Sequence, residues 1–149
     1  MPHPLVEEAT RRSGLVWVRP EAGGREQPLW HVWHDGAVYA VTGGLEQPLP
    51  LPLPLTRAVV VVRSRERQAG RLVQWAADVT VVPSGTALWD EVVPLLHAER
   101  LNAPDGEQQP ARWARESAVL RFAPSGELLP AGDDPLEAPP APLRRRTAT

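Results

Sequence analysis

The chain has 149 residues, 42% hydrophobic and 23% charged, with a formal net charge of −2, the balance of one globular domain large enough to bury a core. No stretch reaches the roughly 18 consecutive apolar residues of a membrane helix, and the small negative charge offers no bulk attraction to nucleic acid or to anionic membranes. With no cysteine and, among its 16 basic residues, no lysine, the chain has no disulfide, thiol nucleophile, Schiff base or lysine-held phosphate.

The first twelve residues include Pro2, Pro4, Glu7 and Glu8 and lack the apolar core of a signal peptide, so the chain reads as cytoplasmic. Residues 4–12 have the composition of a short helix stopped by Gly14. LVWVR (15–19) is β-rich and closes at Pro20, Gly23 and Gly24, a first strand. LWHVWH (29–34) and AVYAVT (37–42) flank Asp35-Gly36, the pair that favours a two-residue type I′ turn, so a hairpin is expected. RAVVVVR (57–63) and RLVQWAADVTVV (71–82), joined by SRERQAG, form a second hairpin. In the latter strand Val73, Trp75, Ala77, Val79 and Val81 share one face, and Gln74, Asp78 and Thr80 share the other.

One helix is expected over 85–101, starting near Ser84 to Thr86, with Trp89, Val92, Val93 and Leu96 along one stripe and Pro94 kinking it. A polar loop with Pro104, Gly106 and Pro110 then leads to a strand at SAVLRF (117–122). From Pro130 the chain is rich in proline, has few apolar residues and ends with Arg144, Arg145 and Arg146 before Thr147. Residues 130–149 therefore read as a disordered tail after a domain spanning 1–129. The expected architecture is mainly β: a six-stranded antiparallel barrel, drawn as a meander, with one main helix.

This order of a leading helix, a strand, the hairpin LWHVWHDGAVYAVT, a crossover, two long strands, a helix and a last strand resembles the flavin-binding split β-barrel family of pyridoxamine-phosphate-oxidase-like and deazaflavin-dependent reductases. The resemblance covers about residues 5–123. It implies FMN or deazaflavin as cofactor, a small-molecule substrate, hydride transfer as reaction and a homodimer with the cofactor between chains. It also places the flavin phosphate near the end of the strand 37–42 and in the segment after it.

Here that segment reads Thr42, Gly43, Gly44, Leu45, Glu46, Gln47, and no basic residue follows before Arg57. Thr42 supplies a hydroxyl, Gly43 and Gly44 let backbone N–H groups approach a ligand, and Gln47 adds an amide, so the turn is a candidate phosphate cradle as well as a plain structural turn. The following QPLPLPLPL has proline at every second position, which suits a stiff crossover and not a PxxP ligand. Arg63, Ser64 and Arg65, with Arg67 and Arg71 nearby, form the dense cationic patch of the folded region and could replace the missing basic residues through bidentate guanidinium contacts. Of the six tryptophans, Trp33 and Trp75 on the long strands are the candidates to stack on a cofactor ring, with core filling as the alternative for each.

His31 and His34, three apart on one strand, face opposite sides and cannot share a metal. Either can donate a hydrogen bond into a cavity. No metal site and no catalytic residue is identified. The functional expectation is an FMN- or deazaflavin-binding small oxidoreductase. The absence of basic residues after the third strand motivates the alternative, a non-catalytic binding module that kept the barrel and lost the cofactor.

Overall fold

The protein is described by a computed structural model covering residues 4–48, 57–63, 72–100 and 106–129. The elements in chain order are α1 (Pro4–Arg12), β1 (Leu15–Pro20), β2 (Gln27–Trp30), β3 (Val32–His34), β4 (Ala37–Thr42), β5 (Arg57–Arg63), β6 (Leu72–Val82), α2 (Ala87–Glu99), α3 (Gln109–Glu116) and β7 (Ala118–Leu129). The crossover over 49–56, the arginine turn beyond Arg63 and the tail 130–149 lie outside the described residues.

All strand pairings are antiparallel, in the order β2-β1-β5-β6-β7-β4-β3. The two ends of this order, β2 and β3, are successive pieces of the predicted strand 29–34, parted only by His31. The seven-stranded sheet therefore nearly closes into a barrel, and the difference from the expected six strands is this one break. The expected meander is corrected: β1 pairs with β5 as well as β2, and β7 pairs with β6 and β4. A barrel needs such long-range pairings because closure is what removes its edges.

The barrel interior is filled by Val16, Val18, Leu29, Val38, Ala40, Val60, Val62, Trp75, Ala77, Val79, Leu120 and Phe122, and α1 covers one end of it through Val6. A second core lies outside the wall, where Ala37, Tyr39, Val41, Val82 and Val119 meet Val92, Val93 and Leu96 of α2 and Trp113 of α3. The two cores explain β4: all six of its residues are buried, which is why AVYAVT is apolar on both faces.

The Asp35-Gly36 turn forms as expected, with φ of 47° and 81° and His34 opposite Ala37. Thr86 caps α2 by accepting from the Trp89 N–H, and the helix runs on through Pro94 to Glu99. The predicted polar loop is overturned by α3, in which Pro110 occupies the first turn, where proline costs no hydrogen bond. The last strand runs past its predicted end to Leu129. Pro124 faces Ala77 beside an irregularity in β6, and proline is accommodated at such bulges. Val81, expected in the core, is 49% exposed near the end of β6.

Candidate functional site

The segment after β4 is a closed turn. The Gly43 N–H donates to the Gln47 carbonyl and the Glu46 N–H to the Gly43 carbonyl, each at 3.0 Å. Ser117 Oγ also donates to Gly43 O at 3.0 Å. Gln47 spends its amide on the framework: Oε1 accepts from the Trp30 N–H at 2.9 Å, and Nε2 donates to the Trp30 and Val41 carbonyls at 3.1 Å. Thr42 is buried. Gly44 has φ of +62°, and a Cβ there would sit 3.0 Å from the Glu116 carbonyl and 3.1 Å from Ser117 Oγ. Its lack of a side chain thus serves packing against the α3–β7 junction.

Glu46 is drawn inward from the same turn. Its carboxylate is fully buried, with Oε1 receiving Arg100 Nε at 2.9 Å and Oε2 receiving Arg112 Nη2 at 3.1 Å. Arg100 follows α2 as its C-cap and Arg112 belongs to α3. These arginines lie 54 and 66 residues from Glu46, and no local pattern in the sequence joins them.

Thr42, Gly43, Gly44 and Gln47 thus share one turn, and Trp33 meets Trp75 edge-on, with ring centroids 6.4 Å apart. Trp75 is 1% exposed and its indole Nε1 donates to Thr10 Oγ1 at 3.3 Å. Its ring fills the barrel. Trp33 is half-buried and packs against the same core. Arg63 turns elsewhere: Nη2 donates to Glu26 Oε1 at 2.7 Å, and the guanidinium lies 5.1 Å from the centre of the Trp17 ring. Ser64 and Arg65 lie outside the described residues.

The two histidines do face opposite sides. His31 is buried at the seam between β2 and β3, where Nε2 donates to the Thr10 carbonyl at 3.0 Å. Burial pushes its pKa below the ordinary histidine value, an effect opposed by that carbonyl. His34 bonds Glu91 of α2 through Nε2, and its ring lies against Tyr39, whose hydroxyl accepts from Arg121 Nε at 3.1 Å. This outward cluster of His34, Tyr39, Glu91 and Arg121 was not read from the sequence, though Arg121 stands directly opposite Tyr39 in the β4–β7 register. Among the described residues no group of three metal-ligating side chains occurs.

A flavin phosphate needs free N–H or hydroxyl donors and a cation. The turn at 42–47 gives the Gly43 N–H and the Gln47 amide to its own framework, buries Thr42, and contributes an anion, Glu46. As bonded here, the Gly43 N–H and the Gln47 amide are not offered to a phosphate.

No family model matches the chain, and no curated protein sequence does. Solved structures do. The heme storage protein HutZ of Vibrio cholerae aligns at a TM-score of 0.60 and 11% identity, over 88% of this chain and 95% of that one. An FAD-binding protein from Mesorhizobium loti aligns at 0.55 and 11%, over 85% and 90%. An F420 reductase aligns at 0.54 and 15%, over 85% and 97%. The chain has the split β-barrel fold of these proteins. Their names span heme, FAD and F420, so the split barrel alone leaves its cofactor open. Among the described residues, no helix is long and apolar enough to cross a membrane.

Proposed function

We propose that this chain is a non-catalytic split-barrel binding module whose partner is a second copy of itself. The observation that carries this reading is the turn 42–47, where the groups that would meet a cofactor phosphate are bonded within the chain. The outer wall around β5 supports the partner. Val59 and Val61 point out of the barrel and are already covered within the chain, at 3% and 1% exposed, so the side chains a partner would meet there are their half-buried neighbours, Arg19 and Trp17 of β1 and Gln74 of β6. The described helices pack mainly on β3, β4, β6 and β7 rather than on β1, so the half-buried side chains of β1 are where a partner would bind. Arg19, Arg57 and Arg63 alternate there with Glu21, Glu26 and Asp78, a mixed charge pattern that suits a self-complementary two-fold contact.

A second reading, an FMN- or deazaflavin-dependent oxidoreductase, is favoured by the shared fold with an FAD-binding protein and an F420 reductase. In it the cluster of His34, Tyr39 and Arg121 would face the substrate, with a phosphate held elsewhere than at 42–47.

Titration of the purified protein with FMN, FAD and F420, followed by absorbance and fluorescence, separates the two. No spectral change at up to about 100 µM, the weak end of cofactor affinity, supports the binding module, and saturable binding of any of the three establishes the second reading. Sedimentation is expected to show a dimer, and a monomer at the same concentration overturns the partner assignment.

A further inference from the structure

We propose that α2 and α3 hold one small anion between them, a halide ion or the carboxylate of a small organic acid, on the side-chain N–H groups of Gln109 and Trp113. The site shares no residue with the turn 42–47 or with the β1 wall, so it stands whichever reading of the function holds.

Two buried donors there have nothing to donate to. Gln109 and Trp113 are both 0% exposed, and neither Gln109 Nε2 nor Trp113 Nε1 has a hydrogen-bond partner among the described residues. A buried donor without an acceptor costs its full desolvation energy, so native interiors rarely keep one, and two on one helix call for an occupant. The two residues are four apart on α3 and share one face of it, with Cβ atoms about 5–6 Å apart. A single acceptor taking a hydrogen bond of about 3 Å from each nitrogen spans that gap. His97 of α2 fixes the arrangement from the other side. Its Nδ1 donates to Gln109 Oε1 at 2.8 Å, which turns the amide nitrogen away from the imidazole, and its ring meets the Trp113 ring edge-on, with centroids 6.4 Å apart.

Both orphan groups donate, and among the described residues no buried side-chain oxygen lacks a partner. An occupant that only accepts satisfies both nitrogens and leaves nothing over, whereas a water molecule brings two hydrogens that no waiting side-chain oxygen takes. The sign of its charge follows from the helix. Gln109 opens α3, whose N-cap Gln108 makes no side-chain hydrogen bond, and the positive end of a helix dipole favours an anion. The room is small, because Trp113 lies in the core shared with Val92, Val93 and Leu96 of α2 and against Trp30, with ring centroids 6.5 Å apart. The anion is therefore a single atom or a few atoms across. Arg112, one residue before Trp113, serves Glu46, and the site needs nothing from it.

The test is a titration of the intact, isotope-labelled chain, exchanged into sodium gluconate, with chloride, bromide and formate at matched ionic strength. The Trp113 indole Nε1–H and the Gln109 Nε2–H resonances are expected to shift together along one saturating curve. The melting temperature should rise with them, by roughly 3–5 °C once the anion reaches ten times its dissociation constant. The tighter of the responses tells a halide from a carboxylate. Gln109→Met, which keeps the length of the side chain and removes its donor, should weaken binding about 10-fold or more as read at Trp113. Should that variant fail to fold, the paired shift in the parent chain decides. Resonances that stay still in all three salts, a shift of one group without the other, or a Gln109→Met chain that binds the anion as tightly as the parent overturns the proposal. So does a His97 imidazole with no proton on Nδ1, since Gln109 would then donate to it and Trp113 alone would be left.

Discussion

Thr10 is fully buried and joins α1 to two parts of the barrel, through its carbonyl to His31 and through its hydroxyl to Trp75. His31 consequently sits where a charge is unwelcome, and its folded pKa lies below the unfolded value of about 6.5. The unfolded chain takes up the proton first as pH falls. Stability from this group is therefore complete above the unfolded pKa and is lost as pH drops from there to the folded pKa. Thermal melts between pH 7.5 and 5.5 should show this decline, and His31→Gln, which keeps a donor toward Thr10, should flatten it. An unchanged slope would mean that His31 is not the group responsible. Gly44 offers a second test. Alanine there meets both a left-handed backbone and a carbonyl 3.0 Å from its Cβ, so Gly44→Ala should cost about 1–3 kcal/mol in urea unfolding. Gly14, with nothing near its Cβ, serves as the control position.

Arg57 shows how one side chain at the start of a strand ties several elements together. It bonds Glu21 beyond β1, Asp78 of β6 and Ser125 of β7. The hydrogen bond from Arg57 holds the Glu21 carboxyl below its ordinary value. A lowered carboxyl pKa contributes stability above the unfolded pKa of about 4.5, and that contribution disappears as pH falls through the folded value. The charged side chains of Arg57, Glu21 and Asp78 are 40%, 46% and 56% exposed, so the effect is screened by salt. Arg57→Met should lower the melting temperature slightly at pH 7 and low ionic strength, with the difference from the parent vanishing by about pH 3 or in 1 M salt. A difference that persists under both conditions would assign Arg57 a packing role. At this same scale α3 is instructive. Pro104, Gly106 and Pro110 together read as a loop, yet Pro110 sits in the first turn of α3, and Trp113 pays for the helix by being fully buried against the β4 wall.

The whole molecule is a sheet whose two ends are one segment of chain, with one core inside it and a second beneath α2 and α3. The remaining β1–β5 wall carries Trp17 next to Val61, and large aromatics in such positions anchor interfaces. Trp17→Ala should weaken self-association about 30-fold or more, roughly 2 kcal/mol, in sedimentation equilibrium, with far-UV dichroism unchanged. An unaltered dimer would move the interface to another face. The sequence alone determined those features whose causes are local. The Asp35-Gly36 turn follows from backbone preference, the stripe of α2 from its 3.6-residue period, and AVYAVT and RAVVVVR are apolar on both faces because each strand is covered on both sides. The resemblance in element order also led to the right fold. Tertiary structure decided the rest: β1 paired with β5, Val81 left exposed, and the turn at 42–47 spent on its own framework. It alone brought Glu46 to two arginines more than fifty residues away. Such pairings depend on how the barrel closes, and closure is a property of the whole chain that no window of sequence contains.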